Sequence, residues 1–136
     1  MKKILVFDPG ESTGWACQIA DGTVLGGTAP KHHPAVEELL YKYEPDIVVM
    51  ERFNLYPGMA KHLAWNSFYP CEVIGVIRNH CLKNSIQLVE QAPSVKKFAG
   101  SITEMWEKLR RTATTPVTEH TKDALMHLAY YLRNNK

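Results

Sequence analysis

Three short segments, far apart in the chain, each place one carboxylate at the edge of an apolar stretch. Asp8 begins the segment DPGESTGW, Glu51 lies in IVVMERF, and Asp123 lies in EHTKDALMHL. Desolvation disfavours an ionised carboxylate at the border of a core. Like charges 4 Å apart also repel by about 4 kcal/mol at an effective dielectric of 20, unless a cation neutralises them. Because Mg²⁺ and Mn²⁺ prefer oxygen ligands, the three segments predict a divalent-metal site and metal-assisted phosphoryl chemistry.

The first two carboxylates follow apolar runs that predict buried strands. These strands span residues 3–8 and 46–52, and a helix with Pro34 in its first turn separates them and ends near residue 44. A helical crossover between two strands predicts that the strands are parallel. Parallel strands end at the same edge of a sheet and lie about 4.8 Å apart, so Asp8 and Glu51 are expected to share one cation.

The third carboxylate lies on a predicted amphipathic helix over residues 117–133. At 100° per residue, His120, Asp123 and His127 fall along one flank of the apolar stripe. If the stripe packs on the sheet, that flank borders the strand ends. Asp123 then becomes the third carboxylate, and His120 becomes either a metal ligand or a proton-transfer group. His127 is interpreted as part of the polar border of the helix. The stripe itself comprises Ala124, Leu125, Leu128, Tyr131 and Leu132.

The remaining segments predict an α/β fold. Asp21-Gly22 is a hairpin signal between two further strands, and a helix over 66–84 carries Val73, Ile74, Ile77 and Leu82 as its apolar stripe. The other predicted elements are strands over 14–20, 23–28 and 85–92, a short helix opened by Pro93-Ser94, and a helix over 102–111. Together they predict a mixed five-stranded central sheet, with a three-stranded antiparallel unit and two parallel strands, flanked by helices.

Length and composition are those of a single globular domain over residues 1–136. The chain is 45% hydrophobic and has no apolar run near the roughly 20 residues that span a bilayer, and its first residues are too short a run for a signal sequence. We therefore expect a cytoplasmic protein with no membrane partner. The three cysteines show no CxxC spacing, which predicts neither a disulfide framework nor a zinc site.

A net charge of +2 does not by itself indicate nucleic-acid binding, but the basic residues are clustered. A solvated face and a phosphate-binding surface are both compatible with this cluster. Its members in the stretch 94–111 are Lys96, Lys97, Lys108, Arg110 and Arg111, and Arg52 directly follows the second carboxylate.

In this order, the motifs DPGESTGW, VVMERF, QAPSVKKFAG and HTKDA resemble the RuvC-type Holliday junction resolvases of the ribonuclease H-like superfamily, and particularly their short phage-encoded relatives. The resemblance extends from Ile4 to about Leu132. It implies a ribonuclease H-like fold, a homodimer, and two Mg²⁺ or Mn²⁺ ions held by acidic residues. It also implies a structure-specific endodeoxyribonuclease that resolves branched DNA by paired phosphodiester hydrolysis, located in the host cytoplasm if phage-encoded.

Residue by residue, the resemblance implies the same catalytic group as the spacing. Asp8 corresponds to the aspartate of the first strand, Glu51 to the glutamate of the second, and His120 and Asp123 to the pair on the last helix.

The resemblance also assigns DNA-binding roles to residues outside this catalytic group. Lys96 and Lys97 match the segment expected to face DNA, Phe53 and Tyr56 are approximate counterparts of an aromatic residue at the junction centre, and Arg52 lies beside them.

Two alternative functions remain compatible with the residues. One is an actin-like or sugar-kinase-like ATP-binding domain, but such folds have two lobes and usually exceed 136 residues, and the sequence has no second phosphate loop. The other is a catalytically silent module that binds branched DNA. The presence of Asp8, Glu51 and Asp123 argues against the loss of catalysis that this alternative requires.

Overall fold

A computed structural model of the protein describes residues 1–31, 33–52 and 69–135, and all structural statements below concern those residues. Ten elements follow one another along the chain. They are β1 (Ile4–Asp8), β2 (Thr13–Gln18), β3 (Val24–Ala29), α1 (His33–Tyr43), β4 (Ile47–Glu51), α2 (Tyr69–Lys83), β5 (Gln87–Gln91), a 3₁₀ helix (Pro93–Phe98), α3 (Thr103–Thr112) and α4 (Glu119–Asn134). Each corresponds to an element that the sequence predicts, with small differences at the ends.

The five strands form one mixed sheet in the order β3-β2-β1-β4-β5. β2 is antiparallel to both β1 and β3, whereas β4 is parallel to β1 and β5 is parallel to β4. The hairpin between β2 and β3 turns at Gly22, whose φ of +90° few other residues adopt without strain. This topology confirms the predicted five-stranded mixed sheet and places the ends of the parallel strands at one edge.

Helices cover both faces of the sheet, and each face has its own apolar core. α1 and α2 pack together on one face, while α4 crosses β2, β1 and β4 on the other, with α3 beside it against β3. The largest fully buried apolar side chains on the first face are Leu5, Phe7, Val36, Leu40, Val48, Met50 and Ile77. Those on the second face are Val6, Leu109, Leu125 and Leu128. α4 is thereby fixed above the three central strands.

One part of the predicted stripe on α2 is wrong. Val73, Ile74 and Ile77 are buried against the first core, but Leu82 is 82% exposed. Leu82 is nine residues after Val73, a rotation of about 180° at 100° per residue, and therefore faces solvent on the opposite side of the helix. Within the described residues, no helix is both long and apolar enough to cross a membrane.

Candidate metal centre and active site

Three polar side chains end three adjacent strands on the same face of the sheet. Phe7 is paired with Met50 in the β1–β4 register, so Asp8 and Glu51 come next along their strands, and Glu51 is itself paired with Gln91 of β5. Side chains alternate between the faces of a strand. The residues two positions earlier in these strands belong to the core beneath α4. Asp8, Glu51 and Gln91 therefore point towards α4.

The N-terminal end of α4 is held against β3 by threonine hydroxyls. The Thr118 side chain accepts a hydrogen bond from the backbone N–H of His120 at 3.2 Å, and the Thr118 N–H donates to Thr121 Oγ1 at 3.0 Å. The Thr121 hydroxyl in turn donates to the buried carbonyl of Gly27 at 2.8 Å, and it lies 2.9 Å from the hydroxyl of Thr28. These bonds fix the start of the helix, whose first five residues include His120 and Asp123.

Asp8, His120 and Asp123 each offer a ligand atom, and these three atoms lie within 4.8 Å of one another. His120 Nδ1 is 3.2 Å from Asp8 Oδ2. The Asp8 side chain is only 6% exposed, whereas that of His120 is 51% exposed. Two carboxylates and an imidazole form a donor set that suits Mg²⁺ or Mn²⁺. The residues present therefore fit a divalent cation that is reached from solvent on the His120 side.

Glu51 lies beside this trio, and a lysine links the two. Lys96 Nζ is 3.1 Å from Glu51 Oε1 and 3.5 Å from Asp123 Oδ2. The lysine comes from the 3₁₀ helix, which packs against α4. The ammonium group therefore lies among the carboxylates, where its charge offsets theirs in the absence of a metal ion. The structure thus places Lys96, assigned to DNA binding by the resemblance, in contact with Glu51 and Asp123.

The electrostatics of the cluster separate its two most buried carboxyl groups. Burial, followed by hydrogen bonding to Glu51 and the charges of Glu51 and Asp123, raises the pKa of Asp8 to about 9. Burial also acts to raise the pKa of Glu51, but the neighbouring His127, Asp8 and Lys96 side chains outweigh it and hold that pKa well below its ordinary range. Near neutral pH the metal-free pair therefore carries one proton, held by Asp8.

A buried histidine contacts Glu51 from the other side. His127 is fully buried, and its Nε2 lies 3.3 Å from Glu51 Oε1. Its Nδ1 lies 2.7 Å from Oε1 of Gln91, which is itself 7% exposed. The sequence places His127 only on the polar border of α4, and it gives no indication of Gln91. One feature of the sequence could have indicated a role for Gln91. It is the last residue of a strand that runs parallel to the strand ending in Glu51.

The other residues assigned to DNA binding are exposed or lie outside the described part of the chain. Arg52 is exposed, and its backbone N–H donates to the carbonyl of Gln91 at 2.7 Å. Lys97 is exposed next to Phe98, and it lines a cavity of about 470 Å³ together with Arg133 and four other residues. The predictions for Phe53 and Tyr56 lie outside the described residues.

Comparison with known proteins gives matches among solved structures. No protein-family profile matches the sequence. No curated protein matches it either. The structure is similar to that of RuvC from T. thermophilus in complex with a Holliday junction substrate, with a TM-score of 0.69 and 18% sequence identity over 99% of this chain and 97% of that one. The chain has the RuvC fold.

Two further structures support this likeness to RuvC. Another structure of Thermus thermophilus RuvC gives a TM-score of 0.57 at 16% identity, covering 96% of this chain and 95% of that one. The fowlpox virus resolvase, in complex with substrate Holliday junction DNA, gives 0.50 at 15% identity, with 96% and 92% covered. The RuvC resemblance drawn from the ordered motifs, and the ribonuclease H-like architecture that it implies, are confirmed at the level of the fold.

Proposed function

We propose that this protein is a divalent-metal-dependent, structure-specific endodeoxyribonuclease that resolves branched DNA, such as four-way junctions, by paired phosphodiester hydrolysis. The observation that carries the proposal is the convergence of ligand atoms from Asp8, His120 and Asp123 within 4.8 Å, beside Glu51, at the ends of parallel strands. Ligand sites of α/β sheets lie outside the carboxyl ends of such strands. The T. thermophilus RuvC structure, at a TM-score of 0.69, holds a Holliday junction substrate, which supports branched DNA as the substrate.

The four catalytic residues have distinct environments that suit distinct tasks. Asp8 and Asp123 would hold Mg²⁺ or Mn²⁺, with Glu51 completing the ligand set, and the family resemblance implies two such ions. A bound divalent cation supplies charge stabilisation and a lowered pKa for water. His120 is half exposed and 3.2 Å from Asp8, so it is placed either to join the ligand set or to exchange a proton with solvent.

Two neighbouring lysines have different relationships to the proposed substrate. Lys96 carries its charge inside the carboxylate cluster, where it offsets the negative charge that would otherwise repel a DNA phosphate.

Lys97 is exposed and shares a cavity with Arg133, which gives two positive charges at one surface. Lys97, Arg133 and exposed Arg52 would contact phosphates rather than bases, so that binding weakens as salt rises. Phe53 and Tyr56 remain proposed DNA contacts.

A homodimer would present two such sites to a junction that is itself nearly two-fold symmetric. The helix predicted over 66–84 is apolar on more than one side, which makes it a candidate dimer element, and packing into the core of its own protomer is the alternative. In the structure, the stripe of Val73, Ile74 and Ile77 is packed into the core. A contact between protomers through α2 would therefore use its outer face, where Leu82 is exposed.

The experiment that tests the function compares labelled four-way junction, flap and linear duplex DNA, with Mg²⁺, Mn²⁺ or EDTA. Wild-type protein and Asp8→Asn are assayed side by side for cleavage and for binding. We expect symmetrically paired nicks in the junction, dependent on the metal and lost in Asp8→Asn while junction binding persists. Tight junction binding without cleavage in either metal would favour the silent binding module. Equal cleavage of flaps and duplex would retain the nuclease and refute junction specificity.

A further inference from the structure

Behind Glu51 lies a buried pair of polar residues that the proposed mechanism does not use. His127 of α4 is fully buried and Gln91 of β5 is 7% exposed, and they are joined by the 2.7 Å contact between Nδ1 and Oε1. Gln91 is paired with Glu51 in the β4–β5 register. The three side chains thus form one chain of contacts, from β5 through α4 to β4.

Core packing alone does not account for this pair. His127 lies on the buried side of α4 near Leu125 and Leu128, where a leucine or methionine would fill the space without a polar atom to satisfy. An imidazole and an amide are unfavourable in such a core unless they are hydrogen-bonded. Gln91 satisfies Nδ1, whereas Nε2 has no well-aligned hydrogen bond within the described residues and instead lies 3.3 Å from Glu51 Oε1. The ring is therefore oriented by Gln91 and directed at the carboxylate.

We propose that Gln91 and His127 are positioning residues that fix the orientation of the Glu51 carboxylate for divalent-cation binding. This inference rests on the proposed function. Oε1 of Glu51 faces both His127 Nε2 and Lys96 Nζ. A carboxylate held through one oxygen cannot rotate freely, which would leave its second oxygen available to a divalent cation. Partners that orient a metal-binding carboxylate typically change metal affinity or activity by about 10- to 100-fold when removed.

The test uses two substitutions of similar size at residue 127. In His127→Gln, an amide nitrogen takes approximately the place of Nε2 and can donate to Glu51, whereas the shorter side chain in His127→Asn replaces only the Nδ1 side of the ring, which faces Gln91. Mn²⁺ binding without DNA is measured by calorimetry, and kcat and KM are measured on a four-way junction. We expect His127→Asn to lose about 10- to 100-fold in Mn²⁺ affinity and in kcat with KM unchanged, and His127→Gln to stay within about 3-fold of wild type.

A double variant separates positioning from stability. Gln91→Leu/His127→Leu removes both buried polar groups at once and leaves Lys96 on Glu51, so its thermal unfolding temperature should lie close to that of wild type. We expect it nevertheless to show the weakened Mn²⁺ binding of His127→Asn. Wild-type Mn²⁺ affinity and kcat in the folded double variant, or equal losses in His127→Asn and His127→Gln, would overturn the positioning role. Failure of the wild type itself to bind Mn²⁺ or cut DNA would instead overturn the proposed function, and this inference with it.

Discussion

Gly14 of β2 lies directly against the backbone of His120 at the start of α4. A Cβ atom on Gly14 would come within 2.1 Å of the carbonyl carbon and oxygen of His120. Gly14 is also paired with Asp8 in the β1–β2 register. The missing side chain therefore lets α4 approach the sheet closely enough for the imidazole of His120 to lie 3.2 Å from Asp8.

We predict that Gly14→Ala displaces the start of α4 and separates His120 and Asp123 from Asp8. The clash involves backbone atoms, which cannot move aside as a flexible side chain can, so the free energy of unfolding should fall by about 1–3 kcal/mol. Junction cleavage should fall by more than about 10-fold, because small displacements of catalytic groups are costly. Denaturant unfolding and single-turnover cleavage measure the two effects.

Gly75 provides a matched control for this change. It is an exposed residue within α2, and a Cβ atom there would meet nothing within 4 Å. Gly75→Ala should therefore raise the free energy of unfolding by roughly 0.5–1 kcal/mol, through helix propensity alone, and leave cleavage unchanged. Equal stability and activity for Gly14→Ala and wild type would contradict the close approach of α4 to β2.

A second prediction concerns the stability of the metal-free protein as pH changes. The pKa of Asp8 is about 9 in the folded protein and 3.8 as its ordinary value. Between these values the folded state binds more protons than the unfolded state, so stability falls as pH rises through this window. Asp8→Asn cannot lose a proton, and its amide can still donate to Glu51. In EDTA at pH 8 it should unfold with a free energy about 1–3 kcal/mol above that of wild type.

Replacing Glu51 with glutamine should change the stability of the metal-free protein in the opposite direction. Its folded pKa lies below the ordinary value of 4.5, so the ionised form contributes stability above that pH and loses it as pH falls further. Glu51→Gln should therefore destabilise the metal-free protein at pH 8. Thermal unfolding of both variants at pH 5 and pH 8 checks the pair. An Asp8→Asn advantage that does not grow with pH would show that Asp8 is ionised throughout.

Lys96 and Lys97 offer a third prediction, because these neighbours differ in what they contact. Lys96→Met removes the cation between Glu51 and Asp123, so the metal-free protein should lose stability and regain it when Mg²⁺ is added. Lys97→Met removes an exposed charge, so it should weaken junction binding and reduce the dependence of log K on log salt by about 1. Fluorescence binding at several salt concentrations and thermal unfolding with and without Mg²⁺ separate the two lysines. Identical behaviour of both variants would refute the distinction.

A fourth prediction concerns the threonine that anchors α4. Thr121→Val keeps the volume of a fully buried side chain but removes the hydroxyl that donates to the Gly27 carbonyl. The carbonyl is then left without this donor, which should lower the free energy of unfolding by about 1–3 kcal/mol. Thr121→Ser, which keeps the hydroxyl, should retain the bond to Gly27 and lose only the packing of one methyl group. Denaturant unfolding of both variants measures the difference, and a Thr121→Val protein as stable as Thr121→Ser would contradict the anchor.

The sequence predicted the elements and the convergence of the carboxylates because both follow from local periodicity. Apolar runs ending in Asp8 and Glu51 specify buried strands, and a helical crossover between them makes the strands parallel. The spacing of His120 and Asp123 on an amphipathic helix specifies their common flank. The stripe on α2 is an instructive failure, since Leu82 belongs to the opposite side of the helix at 100° per residue.

Contacts between elements distant in the chain were decided by the tertiary structure alone. Nothing local to Lys96 shows that its ammonium group reaches Glu51, and nothing local to Gln91 shows that it contacts His127. These contacts depend on the register of β5 beside β4 and on the height of α4 above the sheet, which the absent side chain of Gly14 allows. The sequence by itself determined which strands and helix carry the acidic residues. Packing determined which neighbours surround them, because the free energy of each buried polar contact depends on atoms from three separate elements.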